Sequence, residues 1–170
     1  MEFYKVLEER YSCKKYSDKA VEKEKLERIL KAGNLAPTAK NLQGQRIFVL
    51  TKEDDLKKID EITPCRYNAP LVLIVGYNKD EVFHFPKEDR DSGVEDASIV
   101  ATHIMLAAAN EGLGSCWLNY FGVEDVKKAY NIDENIDVMM LMDIGYPADD
   151  AGPLPNHKKK KDIGKTVFYL

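Results

Sequence analysis

The chain has 170 residues, 44% hydrophobic and 32% charged, the proportions of one globular domain (residues 1–170) with a sizeable core. Its net charge of −4 speaks against a general attraction to nucleic acid or an anionic membrane, and no apolar run is long enough to span a bilayer. Its cysteines, Cys13, Cys65 and Cys116, match neither a disulfide framework nor a Cys/His metal site and fit a reducing cytoplasm, and the first twelve residues carry acids where a secretory leader needs an apolar run.

Phe3, Val6 and Leu7 repeat at helical spacing and predict an amphipathic helix ending at Arg10. Leu26, Ile29 and Leu30 predict a second helix with Gly33 as its C-cap. Residues 34–45 have turn and polar chemistry without a period and read as a loop, followed by a short strand at 47–51. Thr51 and Asp54 have the form of a capping box for a helix carrying Leu56, Ile59 and Ile62. The unbroken apolar run 71–75 after Pro70 predicts a central strand covered on both faces. Residues 80–93, charged and aromatic, read as a surface excursion.

Residues 94–111 predict a long helix, apolar around most of its circumference, with Glu95 and Asp96 in the first turn where the helix dipole favours acids. Gly112 and Gly114 end it. A strand at 115–121, a helix at 123–130, a strand at 138–144, a loop at 148–156 and a β-prone tail at 166–170 complete the chain. The mixture lacks a regular βαβ repeat, so an α+β fold is expected; GxGxxG and P-loop motifs are absent. His103 and Trp117 read as core residues, and Cys13 and Cys116 as inert thiols.

Four segments carry candidate chemistry. In the first, Arg10, Ser12 and Lys14 alternate along an extended stretch and would present two cations and a hydroxyl on one side, a set that suits a phosphate dianion. In the second, from Ala36 to Gln43, the amides of Asn41 and Gln43 offer both donors and acceptors to a flat heteroaromatic edge. In the third, Gly112-Leu113-Gly114-Ser115-Cys116, glycines permit a close backbone approach. The fourth is His157 with Lys158-Lys159-Lys160-Lys161, the only strong basic cluster in an acidic chain. Taken singly, each also has a structural reading: a solvated basic face, a capped turn, a helix end, a surface lysine patch.

In this order the four segments resemble the nitroreductase family over nearly the whole chain, from about Arg10 onward. The resemblance implies an α+β layered fold with a central, mostly antiparallel sheet flanked by helices, and a C-terminal strand exchanged in a homodimer. It implies FMN as cofactor, NADH or NADPH as electron donor, and a small electron-poor acceptor such as a nitroaromatic or a quinone. By the same resemblance Arg10, Ser12, Lys158 and Lys160 stand for phosphate ligands, and Lys14 for the cation at the N1/O2 edge of the flavin. Pro37, Thr38 and Asn41 stand for residues reaching the flavin from the partner subunit, and Ser115 and Cys116 for the loop facing N5. Gly44-Gln45 replaces the family's Pro-Trp, and Lys160 replaces an arginine, giving a point charge where a bidentate fork is usual. The cofactor would carry the chemistry, and no side-chain acid or base is demanded. A flavin-storing protein, or an enzyme of the same fold with another task such as reductive dehalogenation or flavin breakdown, remains an alternative.

Overall fold

The computed structural model of the protein describes residues 2–170. Its centre is a four-stranded antiparallel sheet built from β1 (Gln45–Leu50), β2 (Leu71–Asn78), β3 (Gly114–Leu118) and β4 (Ile136–Gly145), in the order β1-β2-β4-β3. Five α-helices flank it: α1 (Phe3–Glu9), α2 (Lys23–Asn34), α3 (Glu53–Ile62), α4 (Gly93–Asn110) and α5 (Val123–Tyr130). This is the α+β architecture expected from the sequence.

The run 71–75 does become a central strand buried on both faces, because successive side chains alternate between two cores. Leu71, Leu73 and Val75 join Met140 and Met142 under α4 and α2, where Val100, Ile104 and Ile29 meet them. Val72 and Ile74 join Leu141 and Cys116 on the opposite face, covered by Ile59 of α3 and Val126 of α5. No helix among the described residues is long and apolar enough to cross a membrane.

Several local expectations are corrected. Gly33 is not a C-cap: α2 continues past it, and a Cβ at Gly33 would lie 2.8 Å from Ile104 Cγ1. Its role is to let α2 approach α4 closely. The Thr51–Asp54 capping box does not form, since α3 starts one residue late for it, after Lys52, which makes no side-chain cap. Three acids in its first turn, Glu53, Asp54 and Asp55, complement the helix dipole instead. β3 stops at Leu118, short of Phe121, and the chain turns away where the Thr63 hydroxyl donates to the Tyr120 carbonyl at 2.6 Å.

The tail stands apart from the sheet. After a 3-10 turn at Ile163–Lys165, residues 166–170 run exposed and pair with no strand of this chain. A strand needs a partner edge, and β-prone residues alone do not supply one. His103 is half-buried on α4, facing a groove beside Phe3 and Leu106, and not in the core. Trp117, half-buried, packs against the α4-side core as expected, its indole N–H donating to Asn119 Oδ1 at 3.0 Å.

Candidate functional site

The segment after α1 is drawn against the start of β3. Cys13 N–H donates to the Ser115 carbonyl at 2.9 Å, and Ser12 and Ser115 form a parallel bridge. Gly114 permits this contact, because a Cβ there would sit 2.7 Å from Cys13 Cβ. The close approach at this glycine is thus filled by the chain's own Cys13. Buried Cys13 donates its thiol to the Lys15 carbonyl at 3.2 Å and accepts from the Tyr16 hydroxyl on its own carbonyl at 3.0 Å. With Cys13 pinned inward, alternation leaves Ser12 and Lys14 exposed, as the spacing predicts.

A cavity of about 150 Å³ opens beside this segment, bounded by Arg10, Tyr11, Ser115, Ala109 and Pro147. Among the described residues the Arg10 guanidinium has no carboxylate partner and reaches only the Met105 sulfur, at 3.9 Å. Lys14 likewise forms no ion pair; its ammonium lies 5.5 Å from the centre of the Tyr67 ring. The chain after Pro147 returns to the same place. The His157 ring lies 6.4 Å from the Tyr11 ring in an edge-on contact, and a second hollow is lined by Tyr11, Ser12 and His157. Lys158 and Lys160, both exposed, follow directly. The structure therefore brings together Arg10, Ser12, Lys14, Ser115 and the start of the lysine run.

Cys116 is different. Its side chain lies in the core on the α3/α5 face, only 3% exposed, and not in the cavity that Ser115 lines. Burial pushes its thiol up to about 11, with Asp143 acting in the same direction, and burial also raises Cys13. Both thiols are held protonated, in keeping with inert cysteines.

The loop with Pro37, Thr38 and Asn41 sits elsewhere, at the N-terminal end of α4. Ala39 N–H donates to Asp96 Oδ1 at 2.8 Å, and Gln43 N–H donates to Thr38 Oγ1 at 3.1 Å. Gln43 Nε2 donates to the Asn41 carbonyl at 3.3 Å, so that amide serves the turn, while the Asn41 side chain is exposed. Lys40, Asn41 and Gln43 all have positive φ, between 50° and 56°. Asp96 and Ala109, at the two ends of α4, are separated by about 20 Å of helix at roughly 1.5 Å per residue. One chain therefore does not bring this loop to the Arg10 cluster.

Two features were missed by sequence reasoning. Asp96, read as an acid favoured by the helix dipole, uses its carboxylate to hold Ala39 and also accepts from Ser92 Oγ at 2.8 Å. Asp143 lies fully buried inside β4. Its signal was a lone acid between Met142 and Ile144 in an otherwise apolar strand.

Comparison with known proteins agrees with this geometry. The sequence profile described as the nitroreductase family matches residues 7–66 and 65–146. The chain belongs to the nitroreductase family. A protein of Archaeoglobus fulgidus, provisionally named NADH dehydrogenase/NAD(P)H nitroreductase, is 34% identical over 156 residues, covering 88% of this chain and 87% of its own. A solved nitroreductase family protein from Clostridium difficile 630 superposes with a TM-score of 0.93 at 32% identity, covering 99% of this chain and 98% of the other. An FMN-dependent nitroreductase from Clostridium difficile R20291 superposes with a TM-score of 0.80 at 29% identity, covering 98% of each chain. The nitroreductase fold is shared across the whole chain.

Proposed function

We propose that this chain binds FMN and, as a homodimer, passes hydride from NADH or NADPH through the flavin to a small electron-poor acceptor such as a nitroaromatic or a quinone. The observation that carries the reading is the Arg10 guanidinium, which lines the cavity without a carboxylate partner among the described residues, with Lys14 unpaired nearby in the chain and the lysine run following His157 at the neighbouring hollow. In an acidic chain, unpaired positive charge beside a hollow fits an anionic ligand. The FMN dependence of the R20291 protein supports the identity of that ligand.

The donor set suits the group. Arg10 offers a planar fork to a phosphate, Ser12 a hydroxyl, and Lys158 and Lys160 point charges. Lys14, held near the Tyr67 ring, would favour the negative charge that accumulates when a flavin is reduced. Flavin, when bound, supplies the hydride-carrying ring. Ser115 closes the cavity wall next to Arg10.

The separation of the two half-sites supports the homodimer. A two-fold pairing would let the Pro37, Thr38 and Asn41 loop of one chain serve the cation cluster of the other. The surfaces available for it are apolar: Phe3 is 61% exposed, Val94 55% and Phe168 76%. β1 keeps one unpaired side, whereas the outer side of β3 is met by Ser12 and Cys13 at Ser115, so the tail suits the free edge of β1 on a partner.

Purified protein is expected to be yellow and to release FMN on denaturation, and to oxidise NADH or NADPH steadily when an acceptor is added. Colourless protein that fails to take up FMN overturns the reading, and bound flavin without turnover replaces the enzyme with a flavin-storing protein. Deleting residues 164–170 should loosen the dimer and lower FMN affinity together, read by light scattering and flavin titration. A stable monomer with full FMN affinity refutes the shared site.

A further inference from the structure

After β4 the chain doubles back along the segment that carries Arg10, Ser12 and Lys14. Ser17 N–H donates to the Tyr146 carbonyl at 2.9 Å, Tyr16 and Pro147 form an antiparallel bridge, and Ala148 N–H donates to the Lys15 carbonyl at 3.1 Å. Lys15 and Asp150 add an ion pair. Tight turns follow, closed by the His157 backbone N–H on the Leu154 carbonyl at 2.8 Å and the Lys159 backbone N–H on the Asn156 carbonyl at 3.1 Å. Their effect is to deliver the His157 ring edge-on to the Tyr11 ring, with centroids 6.4 Å apart and planes at 74°.

The hollow formed there, about 260 Å³, is lined by Tyr11, Ser12, Leu154, Asn156 and His157, with no carboxylate among them. Among the described residues the Ser12 hydroxyl, the Asn156 side-chain amide and both imidazole nitrogens of His157 have no hydrogen-bond partner. Tyr11 also lines the Arg10 cavity, so the two hollows share it as a wall. Open donors with no acid beside them, followed directly by a lysine run, fit a ligand that accepts hydrogen bonds and carries negative charge.

We propose that His157 is a phosphate ligand of the flavin site: its imidazole N–H and the Ser12 hydroxyl form one cradle for the phosphate of FMN. This rests on the FMN reading above. A neutral imidazole carries one N–H and an imidazolium two, so the ring has a donor in either state. His157 differs from Lys158 and Lys160 in what binding costs. Both lysines are exposed, and a long flexible side chain gives up rotamer freedom when it takes hold of a phosphate. His157 is half-buried and already set against Tyr11, so its donor is held in place before the phosphate arrives.

The test is the affinity of the full chain for FMN and for riboflavin, by fluorescence titration, in wild type, His157→Phe and His157→Gln. Phenylalanine keeps a ring against Tyr11 and removes the donor, whereas glutamine keeps a donor. FMN affinity should fall about tenfold in His157→Phe and recover in large part in His157→Gln, while riboflavin affinity stays unchanged. Unchanged FMN affinity in His157→Phe overturns the proposal, and so does equal weakening for both flavins, which assigns His157 to the fold or to the ring. NADPH also carries a phosphate monoester, so KM for NADPH and for NADH is compared on the FMN-loaded forms. A rise confined to NADPH, with FMN affinity unchanged, gives the hollow to the electron donor and overturns the proposal. Should His157→Phe fail to fold, magnetic resonance of isotope-labelled imidazoles in the wild type gives an independent readout. The histidine signal in contact with the Tyr11 ring should shift with FMN and stay in place with riboflavin, and the same response to both overturns the proposal. A wild type that takes up no flavin removes the FMN reading and this inference together; FMN held equally well by His157→Phe removes this inference alone.

Discussion

The two ends of α4 are built on opposite principles. At its N-terminal end nearly every polar group is answered. The Asp96 carboxylate holds Ala39 N–H and Ser92 Oγ, and Ser92 Oγ in turn accepts from Phe83 N–H at 3.0 Å. Beside it Arg46 grips Glu81 with two bonds of 2.8 and 2.9 Å. At the C-terminal end Arg10 reaches only a sulfur and Lys14 only an aromatic ring. A closed network fixes a loop and has nothing left over for a ligand; an open one keeps its charge for a ligand at some cost in order. The first end reads as a presenter of Thr38 and Asn41, the second as a receiver of an anion.

The comparison breaks most sharply at Asp96. Asp96→Ala leaves Ala39 N–H and Ser92 Oγ without their acceptor at a site only 6% exposed. Hydrogen bonds to a charged group contribute about 1.5–3 kcal/mol each, so a loss of about 3 kcal/mol in folding stability is expected. The shift of the urea midpoint at constant m-value measures it. A loss below about 1 kcal/mol would mean that the N-terminal end is not the rigid one, within the usual range for an ordinary substitution.

The next effect appears at the opposite end and in a different quantity. Arg10→Ala should leave folding stability within about 0.5 kcal/mol, because no carboxylate loses a partner. It should weaken FMN binding by about 2 kcal/mol, roughly thirtyfold, while riboflavin, which lacks the phosphate, changes little. Paired fluorescence titrations with the two flavins measure the difference. Equal weakening of both would assign Arg10 to the fold or to the ring and not to the phosphate.

Much of this contrast was legible in the sequence, but unevenly. The central strand and the helix at 123–130 could be read because their signals are local: an unbroken apolar run, and a short amphipathic stretch after a glycine. The alternation of Arg10, Ser12 and Lys14 could be read for the same reason, and the bridge from Ser12 to Ser115 preserves it. What failed depended on distant residues. Gly33 had the form of a C-cap, but only the approach of Ile104 reveals its use. Asp96 and Asp143 look like ordinary acids until burial and partners are known, and the two then diverge: one is fully hydrogen-bonded, the other has none.

The smallest effect tests what sets the shape of the presenting loop. Lys40 has φ of 50°, a left-handed conformation that costs an L-residue about 1–2 kcal/mol and glycine almost nothing. Its ammonium lies 4.6 Å from the centre of the Phe83 ring, a cation–π contact of about 0.5–1 kcal/mol at an exposed site. Lys40→Gly relieves the strain, loses the ring contact, and adds chain entropy to the unfolded state, roughly 0.5–1 kcal/mol against folding. These terms nearly cancel, so the net change in stability should stay within about 1 kcal/mol of zero if the anchor at Asp96 imposes the loop's shape. The same urea titration measures it. A loss above about 2 kcal/mol would exceed the ring contact and the chain entropy together, and would make the Lys40–Phe83 contact, not Asp96, the brace that holds Thr38 and Asn41 in place.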